Sequence, residues 1–64
     1  MLKLDFENVV NGRPGATNFT ARLLRLIFKA DGRHKEMLGQ VFPNAVKMVD
    51  TYQDTGEILS LPYD

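Results

Sequence analysis

Apolar residues along this chain change their spacing several times, and each change marks a candidate element. Leu2, Leu4 and Phe6 alternate with Lys3, Asp5 and Glu7. That period of two predicts a short strand with one buried face. Val9 and Val10 either extend it or pack beneath the adjoining loop. Asn11-Gly12-Arg13-Pro14-Gly15 concentrates turn formers: Asn-Gly favours positive φ, and Pro-Gly suits the centre of a type II turn. Thr17 or Asn18 then offers a side-chain oxygen to the free amides of a first helical turn, and a helix is predicted over about 18–30.

At 100° per residue, Phe19, Leu23, Leu26, Ile27 and Ala30 form one apolar face of that helix. Ala21, Leu24 and Phe28 widen it beyond half the circumference, leaving Arg22, Arg25 and Lys29 as a narrow polar stripe. A surface helix of a globular domain typically carries an apolar stripe of about 100°. So either this helix is central, or its Leu24 and Phe28 side meets another subunit; these two residues are the candidates for self-association. Asp31 can cap a second, short helix over about 32–41, with His34, Met37, Leu38 and Val41 at i, i+3, i+4 and i+7 on one face. Phe42-Pro43 ends it, because a residue before proline avoids helical geometry, and Pro43 suits the opening of a third helix over about 43–55. Ala45, Val46, Val49 and Tyr52 line one side of that helix, flanked by Met48 and opposite Lys47, Asp50, Thr51 and Asp54. Gly56 is a natural stop. The stretch from Glu57 to Leu61 reads as apolar and extended, and Pro62 discourages further pairing. The expected fold is mainly α: one compact three-helix domain whose extended N- and C-terminal segments either pair as a short two-stranded ribbon or lie over the helices.

Size sharpens the picture. Sixty-four residues allow a single domain, which buries only about 60% of the surface its unfolded chain exposes. The chain has no Cys and its one imidazole is His34, so disulfides and zinc sites of the usual Cys/His kind are excluded, and no cofactor is expected. Two remedies for a thin core remain, tight helix packing or burial against a copy or another protein, and the second is favoured. Charges interrupt the first apolar residues, so no signal peptide is read, and no apolar run approaches the roughly 18 residues of a membrane span. A cytoplasmic location without membrane contact is expected.

Net charge is zero, yet unevenly spread. Residues 13–35 hold six basic side chains (Arg13, Arg22, Arg25, Lys29, Arg33, Lys35) against Asp31 alone, leaving +5, and the remainder carries −5. One reading is internal neutralisation across solvated faces. The other is a basic patch of Arg13, Arg22, Arg25, Lys29 and Arg33 offered to an anionic partner. The loop from Gly12 to Thr17, placed before a helix N-terminus, could hold the phosphate of a nucleotide or nucleic acid. It lacks, however, both the Gly-Lys-Ser/Thr of a P-loop and a three-glycine dinucleotide fingerprint. The second and third helices could form a helix-turn-helix, but the would-be recognition helix exposes Asp50 and Asp54 beside Lys47, carboxylates that a phosphate backbone repels. Ser60 is the one serine and no motif brings it to His34, so a nucleophilic triad is not expected. Catalysis is not expected of this chain.

The stretch 18–31 (Asn-Phe-Thr-Ala-Arg-Leu-Leu-Arg-Leu-Ile-Phe-Lys-Ala-Asp), with Phe42-Pro-Asn-Ala-Val46 and Asp54-Thr-Gly-Glu57 after it, resembles certain short, uncharacterised bacteriophage-type proteins. The resemblance covers about two-thirds of the chain and its motifs are mostly core-forming residues. It implies no site or activity of its own. It implies a small phage product in the host cytoplasm that acts by binding and disabling a host protein or defence component. The function expected is therefore a non-enzymatic binding protein, homo-oligomeric, that inhibits or modulates a host protein. A binder of phosphate-bearing ligands, nucleotide signal or nucleic acid, is the alternative.

Overall fold

A computed structural model describes residues 2–64. Four helices succeed one another: α1 (Leu2–Val10), α2 (Phe19–Lys29), α3 (Gly32–Gly39) and α4 (Pro43–Thr55), with no strand among the described residues. The three helices expected after residue 18 are present, α3 ending two residues earlier than its apolar spacing implies. The N-terminal strand and the two-stranded ribbon are not. Their residues do something else.

Leu2, Leu4 and Phe6 satisfy a period of two, but Leu2 and Phe6 are also four apart, and Val9 and Val10 continue that helical row. The helix wins for two reasons. It satisfies its own amides, which a lone strand without a neighbour cannot do. It also lays Leu2 and Phe6, both buried, against α2 and α4, and turns Leu4 outward at 55% exposure. Asn11-Gly12 is the stop of this helix. Gly12 adopts φ 67°, its N–H donates to Val9 at 3.1 Å, and the Arg13 N–H donates to Asn8 at 3.0 Å. That pair of bonds is a Schellman closure, for which a left-handed residue is required. Arg13 to Ala16 then forms a turn closed by Ala16 N–H to the Arg13 carbonyl at 3.1 Å. Gly15 is not at positive φ, so the type II geometry expected of Pro14-Gly15 is not adopted.

Asn18 caps α2 by accepting the Ala21 N–H at 2.8 Å, while its own amide donates to Asp5 Oδ1 at 3.1 Å. The cap of α2 is thereby tied to α1. Asp31 caps α3 through the His34 N–H at 2.8 Å. Phe42 gives α4 no side-chain cap. The missing acceptor comes from residue 64: Asn44 N–H donates to Asp64 Oδ1 at 2.6 Å and Ala45 N–H to Oδ2 at 3.0 Å. A carboxylate on two first-turn amides is favoured by the helix dipole as well as by the bonds themselves. The path is sterically simple. Gly56, left-handed at φ 79°, ends α4 and reverses the chain. Eight extended residues span about 26 Å, enough to return along the roughly 20 Å of a thirteen-residue helix. Ile58, Leu59 and Leu61 pack against the core on the way. At its far end Asn44 Nδ2 donates to the Pro62 carbonyl at 3.1 Å, and the Tyr63 hydroxyl donates to Asp5 Oδ2 at 2.5 Å.

The core is Leu2, Phe6, Leu24, Ile27, Ala45, Val46, Met48 and Val49. At its centre Phe6 packs 5.7 Å from Phe28 and 5.4 Å, edge-on, from Tyr52. Those spacings are within the favourable range for aromatic pairs. The Cα radius of gyration, 10.6 Å, matches the roughly 10.7 Å that scaling gives a folded chain of this length. The described chain is therefore about as condensed as folded domains of its length typically are.

A chain of this length has about 3–10 kcal/mol of stability, and truncating a buried Phe costs about 3–5 kcal/mol. Phe6→Ala should therefore lower the urea midpoint severely or abolish the folded state. Leu4→Ala should change stability by no more than about 0.5 kcal/mol. A strand at residues 2–6 would make the two substitutions comparable, since both side chains would lie on its buried face.

The Tyr63 phenol supplies a pH signature. Its pKa is raised above 10.0, first by the hydrogen bond to Asp5, then by burial and by the Asp5 charge. Below pH 10 both folded and unfolded chains keep the proton, and the contribution is fully present. Above it the unfolded chain releases the proton first, so stability falls as pH rises through the folded value. Urea midpoints of wild type and Tyr63→Phe should differ by a constant amount from about pH 8 to 10 and converge above it.

Candidate functional site

The two apolar rows of α2 have opposite fates. Ala21, Leu24 and Ile27, at i, i+3 and i+6, face α1 and α4 and are buried. Phe19 and Leu26, seven residues apart, face the other way, 70% and 55% exposed, while Leu23 between them is half-buried against the core. This reverses part of the expected burial, which placed Phe19 and Leu26 inward. It also bears on the self-association candidates. Leu24 is fully enclosed by its own chain, and a second chain cannot reach it. Phe28 is half-buried against Phe6 and Tyr52. Of the two possibilities that the breadth of the apolar face leaves open, α2 is the central helix.

α3 has no fully buried residue. It lies against α4, where Lys35 Nζ donates to Asp50 Oδ1 at 2.9 Å and to Gln53 Oε1 at 2.5 Å. Its His34 and Met37 side turns towards the C-terminal half of α2. Between the two helices lies a groove of about 600 Å³ lined by Leu26, Lys29, Ala30, Asp31, His34, Met37 and Leu38. Met37 is 56% exposed, and Val41 beyond it is exposed too. At the other end of the same side, the exposed Phe19 ring lies 6.1 Å from that of Phe42. Single exposed apolar residues are ordinary, but a contiguous set on two adjacent helices is not.

The basic stripe borders this groove. Arg22, Arg25, Leu26 and Lys29 surround a shallow hollow of about 290 Å³, which shares Leu26 and Lys29 with the groove. Two of its cations also hold the preceding loop: Arg22 Nε donates to the Thr17 carbonyl at 2.8 Å and Arg25 Nη1 to the Ala16 carbonyl at 2.5 Å. Each guanidinium has five N–H donors, so most remain available. The ion pairs among the described residues are His34–Asp31 and Lys35–Asp50; none involves Arg13, Arg22, Arg25, Lys29 or Arg33. Arg13 stands on the exposed turn and Arg33 on the exposed first turn of α3, and neither lines the hollow. The five basic residues expected to act together are thus a cluster of three and two outliers.

The loop amides a phosphate would need are largely occupied. Ala16 N–H donates to Arg13, Thr17 N–H to Gly15, Arg22 N–H to Asn18, and Ala21 N–H to the Asn18 side chain. Asp31 is held below its ordinary 3.8, first by the backbone N–H of His34 and then by the His34 side chain, with Nδ1 at 2.8 Å. His34 thus reinforces a helix cap on the groove's rim. The supposed recognition helix of a helix-turn-helix, α4, is the most buried of the four, and its exposed side carries Lys47, Asp50 and Asp54. No group of three or more metal-binding side chains occurs among the described residues, and none of their helices is long and apolar enough to cross a membrane. No protein-family model, curated protein or solved structure matches the chain significantly.

Leu24 and Leu26 give a direct test of which row is internal. Leu24→Ala should cost about 2–5 kcal/mol and Leu26→Ala about 0.5 kcal/mol or less, read from denaturant unfolding. Equal costs would contradict the inward placement of the Leu24 row.

Proposed function

We propose that the protein is a small binding module that docks on another protein through the α2–α3 face and works by occluding the surface it covers. The observation that carries this reading is the continuity of the apolar groove with the arginine stripe through Leu26 and Lys29. The apolar part supplies contact area that gains from desolvation, and the unpaired cations supply direction and register. Arginine suits such a border, since its planar fork grips carboxylates in two-point fashion. In line with the phage-type resemblance, the partner in this reading is a host protein and the outcome inhibition or modulation.

Self-association through this face is a poorer fit. A symmetric pair places the same patch on both chains, which sets Arg22, Arg25 and Lys29 of one copy near those of the other. Phosphate-ligand binding is also a poorer fit, because the loop amides are largely occupied and Arg13 lies apart from the basic cluster.

The test is quantitative affinity capture from the source cell with wild type, Leu26→Asp/Met37→Asp, Arg22→Glu/Lys29→Glu, and a control altered on the far side, Lys47→Glu/Asp54→Lys. A partner retained by wild type and control, and reduced about tenfold or more by both face variants, supports the reading. A partner lost only with the control variant would move the interface to α4. Light scattering of the wild type across a concentration series should show a monomer.

A further inference from the structure

We infer that the occupant of the α2–α3 groove is an amphipathic helix of the partner that carries carboxylates beside its apolar stripe. The inference rests on the docking reading and adds the chemistry of what docks. Shape supports it first. The groove runs between two helices and is walled by side chains, and no strand among the described residues offers an edge to which an extended peptide could add. Of the common peptide-recognition modes, helix-in-groove fits this surface. Met37 on one wall is unbranched and polarizable, and so adapts to the side chain it meets.

Charge decides between partners. Lys29 lines the groove on the α2 side and Arg22 and Arg25 the adjoining hollow, none of them ion-paired to a carboxylate among the described residues. The one carboxylate on the groove's rim, Asp31, is engaged by the His34 backbone and ring. Glu or Asp on the flank of an incoming apolar stripe meets these cations, whereas a basic helix is repelled. A nucleic acid would satisfy the cations and leave Leu26 and Met37 in water. A second copy of this chain offers no such helix: α4 is acidic on its outer side, but its apolar side is already buried.

Fluorescence anisotropy with labelled synthetic peptides of about fourteen residues tests this with the whole protein. The probe carries Leu at i, i+4 and i+7 with Glu on one flank. The comparisons are a scrambled peptide of the same composition, a version with every Glu replaced by Lys, and a single-stranded oligonucleotide. The acidic amphipathic peptide should bind at least about tenfold more tightly than each of the others. Leu26→Asp should weaken it by about tenfold or more. Lys29→Glu, at an ammonium with no hydrogen-bond partner among the described residues, should shift preference towards the Lys peptide with an unchanged far-UV spectrum. Equal binding of the scrambled or Lys peptide overturns the inference, as does oligonucleotide binding insensitive to Leu26→Asp, or no binding of the acidic peptide at about millimolar concentration. If the partner captured from the cell still depends on Leu26 and Met37 while the acidic peptide fails, the docking face stands and the acidic helix falls. If neither experiment depends on those residues, the face itself falls.

Discussion

With Phe6 fully enclosed between Phe28 of α2 and Tyr52 of α4, α1 supplies the apolar mass that the other three helices lack. Everything else in the fold serves or stems from that enclosure. Leu2 lies one helical turn before Phe6 and extends the contact. The Schellman closure at Gly12 ends α1 so that the chain can double back into α2. Asp5, next to Phe6 on α1, accepts from the cap of α2 and from Tyr63, which fixes how α1 lies against its neighbours. A domain this small has no cysteine with which to staple its core, and these polar ties act at its edges.

The same enclosure explains why a well-packed chain still displays apolar surface. α2 has two apolar rows, and one core can cover only one of them. Once Ala21, Leu24 and Ile27 are committed to α1 and α4, Leu23 packs at the edge of that core and Leu26 has the short α3 beside it. α3 is itself held chiefly at α4, by Lys35 on Asp50 and Gln53. A groove is left where a fourth contact would be. Its border is positively charged because the arginines of α2 occupy the space between its two rows, with their chains tied back to the loop at Ala16 and Thr17. Apolar surface and unpaired cations therefore meet at the same place, and that combination underlies the proposed docking function.

Much of this arrangement is visible in the residues. Asn18, Asp31, Pro43 and Gly56 mark helix ends by local chemistry, and α2 and α4 begin and end within a residue of where those signals place them. The inner side of α4, with Ala45, Val46 and Val49, follows from its periodicity. The N-terminal segment misleads because three apolar residues at alternate positions fit a strand as well as a helix. Val9, Val10 and the Asn11-Gly12 stop were the signals for a helix, legible only when Leu2 and Phe6 are paired as i and i+4. At the site, the breadth of the α2 apolar face flagged an excess of exposed surface, but pointed to Leu24 and Phe28 where the exposed residues are Phe19 and Leu26.

Residue order alone sets where the later helices start and stop, that the basic residues gather in 13–35, and that α2 carries more apolar surface than one face can use. These are local properties, governed by caps, proline and glycine geometry, and spacing within a few turns. Which row of α2 turns inward, that α1 is a helix, and that Asp64 caps α4 from twenty residues away emerge only when the helices pack together. Each depends on what stands opposite. A row of leucines is inside when other apolar side chains close over it, and an amide at a helix start is satisfied by whichever carboxylate the returning chain brings there.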